Sequence, residues 1–157
     1  MITFKTIRIK NFLSFGNVPT ELRLDQHQRT LIMGENGSGK SSIAQALCYG
    51  LFNKTYRKVN LPQLINSINE KECLVEIEFS IHHQDFLVRR GQKPNIFEIY
   101  QNGKLLSNDK DFQRTFEETI LKTDFNTFSS VVVIGGRNYT TFMNLKRADR
   151  RKIIESL

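Results

Sequence analysis

Apolar and polar residues alternate over residues 2–10, and this period of two predicts a strand with one buried face. The alternation changes phase between Phe4 and Ile7, so we expect a one-residue slip inside the strand. Further strands are expected where short apolar runs lie between turn-forming residues. They cover residues 21–24, 29–33, 74–81, 86–90, 96–101 and 130–134.

Apolar residues at intervals of four predict a helix over residues 40–52, directly after a glycine-rich loop. A second helix is expected over residues 109–121, with Asn108 or Asp109 as its N-terminal cap. A third is expected to begin at Arg147 and to continue to Leu157.

These elements predict one α/β domain: a mixed sheet around the first helix, beside an antiparallel meander over residues 74–106. Asn102-Gly103 is a strong hairpin signal within the meander, because both residues tolerate positive φ. The 157 residues are 39% hydrophobic and 25% charged, which is typical of a soluble globular domain. No apolar run reaches the ~20 residues of a membrane span, and the chain start lacks signal-peptide features. We therefore expect a cytoplasmic protein with no membrane partner.

The charge is strongly basic, with 23 lysines and arginines, 16 acidic residues and a net charge of +7. The cations cluster at residues 54–58, 89–93 and 146–152, which favours contact with nucleic-acid phosphates. The last cluster also fits the solvated face of a helix, and both interpretations stay open. Cys48 and Cys73 lie far apart, outside any Cys-x-x-Cys pair, and are expected to be buried thiols.

Residues 34–41 read Gly-Glu-Asn-Gly-Ser-Gly-Lys-Ser and match the phosphate-loop pattern G-x-x-x-x-G-K-[ST]. Glycines let successive backbone N–H groups turn toward an anion, and the following helix adds partial positive charge. Lys40 is expected to act on the β- and γ-phosphates, and the Ser41 hydroxyl to bind Mg²⁺. The expected phosphate-binding set is Asn36, Gly37, Ser38, Gly39, Lys40, Ser41 and Ser42.

A complete P-loop ATPase also needs an apolar strand that ends in an acidic residue, and none follows residue 52. Three functions stay open at this point. The chain could be part of a larger ATPase, a complete small P-loop enzyme such as a kinase or GTPase, or a nucleotide-free DNA-binding module. The GTPase base-reading motif is incomplete, since residues 53–56 lack its aspartate.

Residues 7–15, Ile-Arg-Ile-Lys-Asn-Phe-Leu-Ser-Phe, together with residues 34–42 resemble the opening of the SMC-like, ABC-class DNA repair ATPases of the SbcC type. The likeness covers nearly the whole chain. Within that family, residues 90–99 are most similar to the large subunits of tailed-phage recombination endonucleases. Residues 149–155 are similar to the point where the family's lobe enters its coiled coil.

The resemblance implies an ATP-binding, N-terminal half-lobe over residues 1–145 and the start of a coiled-coil helix over residues 146–157. It implies ATP and Mg²⁺ as cofactors and an ATPase subunit of a nuclease complex. This chain alone, without the rest of the subunit, is expected to be inactive in hydrolysis. The implied partners are the C-terminal half of the same head, a second ATPase subunit, a nuclease subunit of the SbcD type and double-stranded DNA.

Two positions depart from the family, and one loop adds to the expected site. The family often has a basic residue where this chain has Leu13, and a glutamine near the position of Gly135, where none is found. A loop that approaches the nucleotide in the family corresponds to Asn66, Ser67 and Ile68. The resemblance therefore adds these last three residues to the expected nucleotide site.

Overall fold

The computed structural model describes residues 2–57, 59–109, 111–133 and 146–156. The strands are β1 (Ile2–Lys10), β2 (Thr20–Arg23), β3 (Cys73–Ile81), β4 (Gln84–Gln92), β5 (Ile96–Gln101) and β6 (Lys104–Ser107). The helices are α1 (Lys40–Phe52), α2 (Phe112–Thr115), α3 (Phe125–Val131) and α4 (Arg147–Ser156). A 3-10 turn covers Leu61–Leu64, and α2 continues as a π-helical segment over Phe116–Leu121. Within these ranges, no helix has the length and apolar character to cross a membrane.

The strands form one sheet in the order β2-β1-β3-β4-β5-β6, and each neighbouring pair is antiparallel. The expected meander is confirmed, because β3 to β6 follow one another along the sheet. The expected slip is also confirmed, because the register of β1 against β3 shifts between Phe4 and Thr6. The shift leaves both Thr6 and Ile7 buried.

One face of the sheet is apolar and packs mainly against α1, with α3 beside that helix. Its central strands contribute alternate buried residues, as expected for a sheet with one dry face. These are Ile7, Ile9, Cys73, Val75, Ile77, Phe79, Phe86, Val88, Phe97 and Ile99. This packing fixes α1, and with it the loop that precedes α1.

The other face carries a ladder of ion pairs. Arg8 on β1 donates to Glu21 and Glu78 at 2.7 Å each. Arg89 on β4 donates to Glu76 at 2.7 Å and to Glu98 at 2.8 Å. Arg8 and Arg89 are therefore paired with carboxylates from the neighbouring strands.

The strand expected over residues 29–33 is wrong for this structure. These residues have no regular secondary structure, and Leu31 and Met33 are 78% and 80% exposed. A strand needs a neighbour to pair its backbone groups. The described sheet places none beside this segment.

The strand expected over residues 130–134 is also wrong for its described part. α3 ends at Val131, and Val131 and Val132 are half exposed, at 42% and 52%. Asp124 caps α3 by accepting from the backbone N–H of Thr127 at 2.7 Å, and Phe128 is buried against Phe52. Capping and the packing of aromatic rings outweigh the strand preference of the valines. Ile134 lies outside the described residues.

The helix expected over residues 109–121 begins later, at Phe112, with Asp111 at its N-cap. The expected cap, Asp109, instead accepts from the N–H of Asp111 at 3.0 Å and so shapes the turn before the helix. Helix α4 agrees with the expectation over residues 147–157, except that Leu157 lies outside the described residues.

Candidate nucleotide-binding site

The glycine-rich loop forms a tight turn in front of α1. Gly37 and Gly39 have φ values of 89° and 95°, a left-handed region that favours glycine. The N–H of Ser38 donates to the Glu35 carbonyl at 3.2 Å, which closes the turn. Alternation between left-handed and other conformations is the geometry that lets backbone N–H groups converge on an anion.

The ammonium group of Lys40 folds over this turn and donates to the carbonyls of Gly34 and Glu35. An ammonium has three N–H donors, so one donor remains for a phosphate oxygen. The lysine is thus held at the loop by the loop's own backbone.

The N-terminus of α1 supplies further donors. Gly39 is its cap residue, no side chain caps it, and its first turn contains no acidic residue. Among the described residues, the N–H groups of Lys40 and Ser41 have no acceptor, whereas Ser42 donates to Gly39 at 2.9 Å. The partial positive charge of the helix end is therefore available to an anion.

The two serines after Lys40 have different surroundings. Ser41 is exposed, whereas Ser42 is only 8% exposed and packs into the fold. Tyr56 donates its hydroxyl to the Ser41 carbonyl at 3.1 Å and so ties the following loop to the start of α1. Mg²⁺ is coordinated by oxygen ligands, and the Ser41 hydroxyl is exposed beside the phosphate-binding loop. Ser41 therefore fits the expected metal role.

Residues 66–68 lie on a second loop, between the 3-10 turn and β3. Hydrogen bonds from Asn66 to Asn11 and Leu13 join this loop to the turn after β1. Ser67 and Ile68 are exposed, and Ile68 is 88% exposed. The Asn66 side chain is buried and makes its hydrogen bonds inside the protein. Ser67 and Ile68 can therefore reach a ligand, whereas Asn66 has a structural position.

Two groups of residues at this site carry no motif of their own. Tyr56 contacts α1 only because the loop folds back, and no sequence pattern indicates that bond. Ser14 and Phe15 lie beside Gly39, where an added Cβ would meet them at 3.4 and 3.5 Å. Their presence in the family-like segment at residues 7–15 is the signal that could have identified them. Gly135 lies outside the described residues.

Both arginines of the basic cluster at residues 89–93 have partners within the protein. Arg89 belongs to the ion-pair ladder. Arg90 is 5% exposed and donates to the Gly50 carbonyl at 2.9 Å. In the cluster at residues 54–58, the cations of Lys54 and Arg57 lie over aromatic rings, at 5.6 and 5.7 Å from the ring centres.

A fold of this kind, with a phosphate loop before its central helix, defines the class of nucleotide-binding domains. The sequence profile of the AAA domain matches residues 6–156, and the chain belongs to that family. The chain is 43% identical over 162 residues to exonuclease subunit 2 of Enterobacteria phage T4, covering 100% of this chain and 29% of that protein. It is 30% identical to the DNA double-strand break repair Rad50 ATPase of Methanococcus maripaludis, covering 98% of this chain and 15% of the relative.

Solved structures support the same fold. An Smc head domain from Pyrococcus furiosus superposes with a TM-score of 0.73 at 23% identity, covering 99% of this chain and 41% of that one. An SMC ATPase structure superposes with a TM-score of 0.66 at 21% identity and covers 98% of both chains. The resemblance to the N-terminal half of SbcC-type ATPases is thus confirmed, and the relatives favour it over a small kinase or GTPase. The chain spans less than a third of the two curated relatives compared here.

Proposed function

We propose that this chain is the ATP-binding N-terminal part of an SMC-like ATPase subunit in a DNA recombination and repair endonuclease complex that processes double-strand ends. The observation that carries the proposal is the loop at residues 34–41. It joins left-handed glycines, the Lys40 ammonium and an open helix N-terminus in one place. The relatives named exonuclease subunit 2 and Rad50 ATPase support the choice of complex.

ATP with Mg²⁺ is the proposed ligand. Residues 36–42 would surround the phosphates, with the open N–H groups of Lys40 and Ser41 as donors, and the Lys40 ammonium would contribute a charge-assisted hydrogen bond. The Ser41 hydroxyl would hold Mg²⁺, which would neutralise part of the phosphate charge. Ser67 and Ile68 would complete the site on the nucleoside side.

The proposed organisation is a half-lobe over residues 1–145 and the start of a coiled coil over residues 146–157. The C-terminal half of the same head is the first proposed partner. Leu31, Ile32 and Met33 support this idea, because they form an exposed apolar segment without a strand beside it in the described sheet. Such a segment becomes a strand when a neighbour satisfies its backbone.

The remaining partners follow from the proposed complex: a second ATPase subunit that shares ATP across a head dimer, a nuclease subunit of the SbcD type and double-stranded DNA. The proposed complex would process DNA ends in the cytoplasm, which for a phage protein is the cytoplasm of the host cell.

ATP binding without appreciable hydrolysis is proposed for the chain alone. After residue 52 its sequence contains no apolar strand that ends in a carboxylate. Positioning of water and neutralisation of developing charge would therefore depend on partner residues. Phosphate release by the purified chain should stay near the level of a Lys40→Ala variant. Lys40-dependent turnover near ~1 per second would contradict this part of the proposal.

The central test is equilibrium binding of ATP, GTP and inorganic tripolyphosphate, with and without Mg²⁺. Lys40→Ala should weaken ATP binding by about 30-fold or more, because a charge-assisted contact is lost. Lys104→Ala removes the same charge from an exposed strand end and should bind as the wild type does. If Lys40→Ala is folded by circular dichroism and still binds ATP within a few-fold of wild type, the site assignment is wrong.

A further inference from the structure

A cavity of about 440 Å³ lies at the C-terminal end of α1, and we name it the rear cavity. Its walls come from the end of α1, the 3-10 turn, the hairpin of β4 and β5, and the start of α2. The thirteen residues of α1, a length of ~20 Å, separate it from the phosphate loop. The described residues that line it include two cations, Arg90 and Lys93, and no carboxylate. The rear cavity is therefore a positively charged site of its own.

Arg90 is fixed in the wall of the rear cavity and is only 5% exposed. The plane of its guanidinium lies over the Phe97 ring, 3.9 Å from the ring centre. Its Nε donates to the Gly50 carbonyl at 2.9 Å, and its Nη2 donates to the side-chain oxygen of Gln113. Stacking holds the plane of the group and the two hydrogen bonds hold its rotation, so the guanidinium has one orientation.

This guanidinium has unused donors. Arginine has five N–H groups, and the two bonds of Arg90 use the edge that joins Nε to Nη2. The adjacent edge, which joins Nη1 to Nη2, has no acceptor within the described ranges. Arg90 also forms no ion pair there, because the nearby Glu117 carboxylate accepts from Gln113 instead, at 2.6 Å. Two parallel N–H groups therefore remain, which is the geometry that binds two oxygens of one anion.

Lys93 provides a second charge at the exposed side of the same cavity. Its ammonium donates to the Glu70 carbonyl at 3.3 Å, which leaves further N–H donors for a ligand. Asn53 and Asn95 add exposed side-chain amides to the lining, and Leu61 adds an apolar surface. A buried fork, an exposed cation and a partly apolar wall together suit a compact organic anion.

We propose that the rear cavity binds a small organic oxyanion, with the free edge of Arg90 holding two of its oxygens and Lys93 contacting a third. A carboxylate and a phosphate monoester share this chemistry, because both present paired oxygens to a guanidinium. The buried position of Arg90 requires a ligand that enters the cavity, which the backbone of a DNA duplex cannot do. The site uses no residue of the phosphate loop and is independent of the proposed ATP site.

Titration with two probes, glutarate and glycerol 1-phosphate, tests the proposal by nuclear magnetic resonance. Each probe is added at constant ionic strength, with chloride as the balancing anion. The Nε–H signal of Arg90 and the backbone N–H signals of residues 92–95 should shift and saturate, with a Kd of about 1 mM or tighter. Saturation by glutarate alone identifies a carboxylate ligand, and saturation by glycerol 1-phosphate alone identifies a phosphate monoester. No saturable shift with either probe would overturn the proposal.

A matched pair of lysine variants separates a local site from general attraction by a basic protein. Lys93→Gln should weaken binding of the effective probe about fivefold or more, because one charge-assisted contact is lost. Lys104→Gln makes the same change in charge at an exposed residue outside the lining, and should bind within about twofold of the wild type. Equal weakening by the two variants would contradict a defined site.

Two further variants test the fork and the independence of the site. Arg90→Lys keeps the charge but loses the paired N–H groups, so affinity at residues 92–95 should fall at least tenfold. If Arg90→Lys does not fold, the comparison of Lys93→Gln with Lys104→Gln decides the outcome. Lys40→Ala should leave the shifts unchanged, whatever its effect on ATP. Loss of the shifts in Lys40→Ala would place the anion in the phosphate loop and refute the rear cavity as its site.

Discussion

The guanidinium of Arg90 lies 3.9 Å above the ring centre of Phe97, inside the apolar layer between α1 and the sheet. Its Nε donates to the Gly50 carbonyl at 2.9 Å, and its Nη2 donates to the side chain of Gln113. Gln113 in turn donates to the Leu51 carbonyl at 3.0 Å. A cation at the C-terminal end of a helix is stabilised by the helix dipole. Arg90 and Gln113 therefore anchor the C-terminal end of α1, which lies remote from the phosphate loop.

Replacement of Arg90 should therefore destabilise the fold. Arg90→Met leaves the Gly50 carbonyl without its donor, and we expect the free energy of unfolding to fall by about 2–4 kcal/mol. Arg89→Met is the matched control on the same strand, because Arg89 belongs to the half-exposed ladder on the opposite face. It should cost no more than about 1 kcal/mol. Urea unfolding of both variants measures the difference, and equal losses would contradict an anchoring role for Arg90.

Gly50 allows α1 to lie close to the sheet. A Cβ at this position would lie 2.4 Å from Cδ1 of Ile77 and 3.2 Å from Val75. Gly50→Ala should lower the free energy of unfolding by about 1–3 kcal/mol, although alanine is the better helix former. Adding Ile77→Val removes the clashing methyl group and should recover part of the loss in a double-mutant cycle. Strict additivity of the two changes would argue against this contact.

Three buried acids predict a loss of stability at high pH. Burial raises the pKa of Cys48 and Cys73 from 9.0 to about 12, and that of Tyr49 from 10.0 to about 12. The folded state holds these protons more tightly than the unfolded chain does. Their contribution is therefore complete below pH 9.0 and is lost as the pH rises toward about 12.

We expect the free energy of unfolding to fall across this range by up to about 1.4 kcal/mol per pH unit for each group. Urea titrations at pH values between about 8 and about 11 measure the slope. The double variant Cys48→Ala, Cys73→Ala should show a shallower slope, whatever its stability at neutral pH. An unchanged slope would show that the thiols do not control the transition.

The sequence predicted the elements whose signals are local. α1 follows from apolar spacing and from a glycine-rich start, and the structure places it at Lys40–Phe52. The prediction of a strand at residues 29–33 was wrong, because strand formation depends on a neighbouring strand and no local pattern specifies one. α3 was missed because the valines at its end have high strand propensity, while the cap at Asp124 and the ring packing of Phe128 were overlooked.

The candidate site divides in the same way. The roles of Lys40 and Ser41 could be expected from the phosphate-loop spacing alone. The contact of Tyr56 with Ser41 and the bond between Asn69 and Asn11 join residues 15 and 58 positions apart. Such bonds depend on how loops fold back over the sheet, so neither periodicity nor spacing reveals them. The resemblance predicted that the loop at residues 66–68 approaches the nucleotide, and only the structure separates buried Asn66 from exposed Ile68.

DNA binding by the chain should be electrostatic and should depend on the start of α4. Arg8 and Arg89 on the outer sheet face are paired with carboxylates. Arg147 and Arg151 are exposed on α4, where a phosphate backbone can reach them. Replacing Arg150, Arg151 and Lys152 with glutamine should weaken binding to a blunt duplex without changing sequence preference. The slope of log K against log salt should become shallower by up to about 3. The reason is that each phosphate contact releases counterions on binding, and three such contacts are removed.

A charge-matched control distinguishes a local site from the general excess of +7. Replacing Lys71, Lys104 and Lys122 with glutamine changes the net charge equally, and all three lysines are exposed and belong to segments other than α4. This control should shift affinity only slightly and should leave the salt slope near that of the wild type, because contacts rather than net charge release the counterions. Equal weakening by both triple variants would show that the whole basic surface attracts DNA. Salt-independent affinity would exclude phosphate contacts as the source of binding.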